Sequence, residues 1–126
     1  MRNPAVELQL APPLFSADLG EFGGRIDTVC AELARTAAER DRAGGTAFDQ
    51  RRLLRESGLL ALAVPAVFGG AGAAWPVVFR SVRRIAQVDS SLAHLFGFQH
   101  LQVATVLLFG AEAQQQRYLV PTASER

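Results

Sequence analysis

"SSLAHLFGFQH", residues 90–100, decides how this chain is read. It lies in a stretch from Ser90 to Ala111 that holds no Asp, Glu, Lys or Arg. Leu92, Leu95, Phe96, Phe98, Leu101 and Val103 make the stretch apolar, yet it also carries His94, Gln99, His100 and Gln102. Asp89, Ser90 or Ser91 can cap a helix at its start, and Gly110 can end one. The predicted helix therefore covers about 90–109.

Its length approaches that of a bilayer span. As a span, however, it would place two imidazoles, two amides, Thr105 and a serine pair in hydrocarbon, and basic anchors are missing from its flanks. No membrane span is expected. A helix that is apolar nearly all round is the central helix of a bundle, covered by other elements on most sides. Helical spacing puts His94, Phe98, Leu101 and Gln102 along one side. Leu92, Phe96, Gln99 and Val103 lie along another, with Leu95 near its edge. A buried polar group without a partner costs roughly 1–3 kcal/mol. Any one of the four reads as a core residue satisfied by a backbone carbonyl. Four within nine residues read together as a face that meets a cavity, a cofactor or a second domain.

The rest of the chain supplies the cover. Residues 1–15, with Pro4, Pro12 and Pro13, read as an extended lead-in, and 16–126 as one helical domain. From about Ala17 to Ala43, Phe22, Ile26, Val29, Cys30, Leu33 and Ala37 recur at three and four, predicting one helix. Ser16 or Asp18 caps it, and Gly44-Gly45 ends it. A short helix follows from about Ala47 to Ser57, with Thr46 as N-cap, Leu53 and Leu54 inward and Gly58 as the stop. Trp75-Pro76 opens a third helix, whose expected inner stripe is Phe79, Val82, Ile85 and Ala86. A last helix starts near Ala111 and stops at Leu119 or Val120, before Pro121. No strand-like alternation is sustained. The fold class predicted is all-α, a helical bundle of about five helices with one ordered glycine-rich loop.

That loop, in "LLALAVPAVFGGAGAAWP" (59–76), carries Phe68, Gly69, Gly70 and Gly72. It lacks the lysine and the glycine spacing of a phosphate loop. On chemistry alone it is a tight turn that lets a helix come close. Other classes are excluded more simply. With 126 residues, 49% of them hydrophobic and a net charge of +1, the chain is one globular domain with no field that selects nucleic acid. Its one cysteine, Cys30, cannot form an intrachain disulfide or a thiolate metal cluster. His94 and His100 are badly spaced for one metal ion, and no carboxylate joins them. The opening residues are not a convincing signal peptide, so the cytoplasm is the expected location. Arg51, Arg52 and Arg55 read as a solvated helix face.

Three stretches nevertheless look familiar in their order: "ESGLLALAVPAVFGGAG" (56–72), "RRIAQVDSSLAHLFGFQH" (83–100) and "LLFGAEAQQQRYLVPTAS" (107–124). Together they resemble the N-terminal helical domain of the acyl-CoA dehydrogenase superfamily, over about residues 20–126. "AERDRAGGTA" (38–47) and "SLAHLFGFQH" (91–100) are most similar to its flavin-dependent monooxygenase branch. The resemblance implies a partial chain, with a middle β-domain and a C-terminal helical bundle lying elsewhere, and a homotetramer. It implies FMN or FAD as cofactor, held mainly by those other parts. It also implies reduced flavin from a separate reductase, and a small apolar, sulfur-containing substrate oxidised with O₂.

By the same resemblance His94 is the catalytic residue. It would line the substrate–flavin pocket and hydrogen-bond to, or protonate, oxygen bound at the flavin, a task suited to an imidazole. Phe98, Leu95, Leu101 and Gln102 would line the substrate pocket. Phe98 falls where sulfur-heterocycle monooxygenases of this branch carry a tyrosine, and Gln99 where they carry another histidine. Two alternatives stay open: FAD-dependent acyl-CoA dehydrogenation on the same fold, and a helical interaction module without catalysis.

Overall fold

A computed structural model describes residues 19–125. The predicted lead-in and the caps Ser16 and Asp18 lie outside these. Among the described residues there are six α-helices and no strand: α1 (Gly23–Ala34), α2 (Ala37–Ala43), α3 (Phe48–Glu56), α4 (Trp75–Ala86), α5 (Ser90–Phe109) and α6 (Glu112–Ser124). Short 3₁₀ turns occur at Gly20–Phe22, Leu59–Ala61 and Ala66–Phe68. The all-α reading stands. The count rises to six because the predicted first helix is two.

That helix breaks at Arg35–Thr36. Thr36 leaves the helical region (φ −128°, ψ 1°), although apolar periodicity continues across it. The break is held by Arg40, one turn later. Its guanidinium donates to the Leu33 carbonyl (3.2 Å), to Thr36 Oγ1 (3.0 Å) and to Asp89 Oδ2 (2.6 Å). One side chain thus satisfies groups freed by the kink and ties it to the start of α5.

The central helix is α5. Leu92, Ala93, Phe96, His100 and Val103 are buried on its inner side, against α4, α6, α3 and the Leu59–Ala61 turn. Ile26, Val29, Cys30 and Leu33 of α1 close the core through α4. Burial of each such aliphatic side chain contributes roughly 1.5–3 kcal/mol. Of the three candidate caps Asp89 serves: its Oδ1 accepts from the Leu92 N–H at 3.0 Å. At the other end, Gln115 Nε2 donates to the Leu107 and Gly110 carbonyls (3.3 and 3.0 Å), and Gln114 accepts from the Ala111 N–H (2.8 Å). These bonds turn the chain sharply from α5 into α6.

The glycine loop is structural, as its chemistry alone predicted. Residues 71–73 fold back on 61–64 through backbone bonds from Ala71 to Ala61 (3.2 Å), Gly72 to Val64 (2.8 Å) and Ala73 to Leu62 (2.9 Å). Gly69 has φ +90°, and a side chain there would meet Ala123 of α6 at 3.6 Å. Gly70 leaves no room at all, since any Cβ would collide with the Val64 carbonyl.

Three local expectations are corrected. Phe79 and Ala86 are exposed, and the buried stripe of α4 is Val78, Ser81 and Ile85. Phe79 instead tilts against Trp75 at the surface, with ring centroids 5.8 Å apart. Thr46 does not cap α3: its carbonyl, not its hydroxyl, takes the Phe48 N–H (3.0 Å). Nor does Pro121 end α6, which continues to Ser124. Thr122 Oγ1 donates to the Tyr118 carbonyl (2.8 Å), and Ala123 packs on the core, so the last turn is kept despite the missing N–H.

Candidate functional site

The two sides of α5 separate as its spacing predicted. Opposite the buried face, His94, Phe98, Leu101 and Gln102 point outward. Phe98 and Leu101 are large apolar side chains left 50% and 53% exposed. His94 and Phe98, one turn apart, stack at 4.6 Å between ring centroids with a 33° tilt. Leu108 and Phe109 extend the same uncharged side toward the helix end and are still more exposed. Long, apolar and only part-covered, α5 has the length and hydropathy of a membrane span. A helix that serves a core on one side and is exposed on the other has the same length and hydropathy.

The structure thus brings His94, Phe98, Leu101 and Gln102 onto one face. Leu95 stands on its flank, 48% exposed, over a groove of about 470 Å³ between α5 and α3. Phe68, Gly69, Gly70 and Gly72 do not line that groove; the loop serves the α6 contact instead. A larger cleft of about 850 Å³, between α2, residues 44–50 and the start of α5, contains none of the predicted site residues. Asp41, Asp49 and the pinned Arg40–Asp89 pair line it.

The four polar side chains of α5 do not act as one set. Gln102 lies outward with His94, and Gln99 is half-buried at the groove. His100 is sealed in the core, 1% exposed. Phe96 meets its ring edge-on at 4.6 Å. Neither of its nitrogens has a hydrogen-bond partner of good geometry. Burial drives its pKa down to about 4, with the nearby Leu59 backbone acting in the opposite direction. A neutral imidazole in this position is a core element. The residue that sequence reasoning missed is Arg40, whose place opposite Asp89 depends on an unpredicted kink; Arg51, Arg52 and Arg55 are exposed, as a solvated helix face requires.

Side chains on the outward face are aromatic or aliphatic, free of charge, and interrupted by one imidazole, one amide and Thr105.

The family profile "Acyl-CoA dehydrogenase, N-terminal domain" matches residues 26–126. The "Probable FMNH2-dependent monooxygenase SfnC" of Pseudomonas putida is 50% identical over 95 residues, covering 75% of this chain and 24% of that protein. A dibenzothiophene monooxygenase of Mycolicibacterium goodii is 47% identical over 95 residues, 72% of this chain and 23% of its own length. Among solved structures, methanesulfinate monooxygenase MsuC from Pseudomonas fluorescens superposes with a TM-score of 0.78 at 48% identity, over 81% of this chain and 26% of that one. TdsC from Paenibacillus sp. A11-2, solved as a complex with FMN and indole, superposes with a TM-score of 0.77 at 37% identity, over 82% and 26%. The chain spans about a quarter of the length of these relatives. It belongs to the acyl-CoA dehydrogenase family, as the N-terminal domain.

Proposed function

We propose that this domain is part of a flavin-dependent monooxygenase that uses reduced FMN and O₂ to oxidise a small apolar organosulfur substrate. In this reading the outward face of α5 is its contribution to the active-site pocket. The observation that carries the reading is the uncharged, ring-bearing side of α5, with His94 stacked on Phe98, in a chain whose relatives include FMNH2-dependent and dibenzothiophene monooxygenases. FMN is favoured over FAD because TdsC was solved with FMN bound. The reading carries with it a separate reductase that supplies FMNH2, a homo-oligomer and a cytoplasmic location.

Reduced FMN, when bound, supplies the electrons that activate O₂ for transfer of one oxygen atom to sulfur. This chain supplies the wall. Phe98, Leu101 and Leu95 exclude water from the reacting sulfur and hold its apolar substituents. In this reading His94 would donate a proton from an imidazole nitrogen to developing negative charge on oxygen. Its contact with Phe98 limits the ring's rotation. Gln102, on the same face, offers an amide to orient the substrate. Phe98 keeps the aromatic wall without a hydroxyl, so it provides shape and no proton.

The test is turnover of the complete protein with chemically reduced FMN, O₂ and a thioether such as dibenzothiophene. Sulfoxide or sulfone formation that requires FMNH2 supports the reading. Absence of oxygen transfer, together with bleaching of bound flavin by an acyl-CoA, would overturn it in favour of dehydrogenation.

A further inference from the structure

The groove between α3 and α5 has an apolar floor, with Leu54, Leu60 and Leu95, and a rim that carries Arg51, Arg55 and Gln99. No carboxylate lines it. The three arginines of α3 divide sharply in their partners. Arg52 does not line the groove, and it is neutralised by Asp49 (2.8 Å) and Glu56 (3.9 Å). Among the described residues, Arg51 has only the Phe48 ring, 5.9 Å from its guanidinium carbon. Among the described residues no carboxylate pairs with Arg51 or Arg55. These two stand one helical turn apart, where like charges repel. The helix thus compensates the cation that faces away and leaves uncompensated the two that face the groove.

We propose that this groove binds a small organic oxyanion. Its acidic head lies on Arg51 and Arg55, and its short apolar tail on Leu54, Leu60 and Leu95. A planar guanidinium presents paired N–H donors to two oxygens of a sulfinate, sulfonate or carboxylate, and a bound anion relieves the repulsion between the arginines. The Gln99 amide adds a neutral donor. The volume, about 470 Å³, suits a compact ligand. At Leu95 the groove adjoins the outward face of α5, so the proposal rests on the monooxygenase reading for its biological meaning. It adds to that reading a separate subsite, for an anion, beside the uncharged face assigned to the apolar substrate. The binding itself needs no flavin.

Isothermal titration calorimetry of the 126-residue chain at low salt tests this, with sodium butanesulfonate, butyl methyl sulfone and inorganic phosphate as probes. Butanesulfonate is expected to saturate one site. The neutral sulfone and phosphate should bind about tenfold or more weakly, for want of the charge and of the tail respectively. The double variant Arg51→Gln/Arg55→Gln should weaken butanesulfonate by about tenfold or more, and Arg52→Gln should leave it unchanged. Should the double variant lose helix content by circular dichroism, Arg55→Gln alone is read in its place. Three results would each overturn the proposal: no saturable binding, phosphate binding as tightly as butanesulfonate, or unaltered binding in the groove variants. A failed sulfoxidation assay leaves this result standing, and a failed titration leaves the monooxygenase reading standing.

Discussion

The two faces of α5 have nearly the same hydrophobicity and opposite fates. Phe96 and Phe98 are two residues apart; one is fully buried and the other half exposed. His94 and His100 make a second such pair, the first stacked on Phe98 at the surface and the second enclosed without a polar partner. Composition therefore does not distinguish a core-forming side from an exposed one. The difference lies in which side its own domain covers, and that gives the two sides separable consequences on mutation.

The largest effect is expected on the inner side. Phe96→Ala should destabilise the fold by about 4 kcal/mol, since it removes a fully buried ring and leaves a cavity. Urea denaturation of the isolated chain measures it, and a loss under about 1 kcal/mol would place Phe96 outside the core. Next is Asp89→Ala, which removes the cap of α5 and strands Arg40, whose salt-bridge partner Asp89 is only 5% exposed. A cost of about 3 kcal/mol is expected by the same measurement.

His100 sharpens the comparison through pH. Its pKa is about 4 when folded, against an ordinary value of 6.5, so the unfolded chain takes up the proton first. The stability this burial allows is fully present above about pH 6.5 and is lost as pH falls toward 4. Between pH 7 and pH 5 the loss should reach about 2 kcal/mol. His100→Leu should flatten that slope in pH-dependent denaturation; an unchanged slope would show that another group carries it. On the outer side, Phe98→Ala should cost under about 1 kcal/mol, while weakening substrate retention in the complete protein, read as a raised KM.

The course of α5 was legible in the sequence because its limits are marked chemically. Candidate caps at Asp89, Ser90 and Ser91, a run without charges and a terminal glycine at Gly110 marked a helix over about 90–109, and the structure selects Asp89 among the caps. The outward grouping of His94, Phe98, Leu101 and Gln102 followed from helical spacing alone. The kink at Thr36 was not legible, because Ile26, Val29, Cys30, Leu33 and Ala37 keep one periodicity through it. Its cause, Arg40 reaching Asp89, is a contact between residues far apart in the chain. His100 was unreadable for a related reason: a buried imidazole with no partner defies the rule that buried polar groups are satisfied. Phe79 misled because its hydrophobicity serves a surface pair with Trp75. Pro121 misled because side-chain bonding and packing held one more turn of α6.

The central claim is that the outer side of α5 completes a pocket and contributes little to its own domain. His94→Ala tests it most directly, measured twice: by thermal melting of this chain, and by turnover of the complete protein with reduced FMN and O₂. An unchanged melting temperature with most turnover lost is the predicted result. Full turnover, or a melting temperature lowered as far as by Phe96→Ala, would contradict the claim.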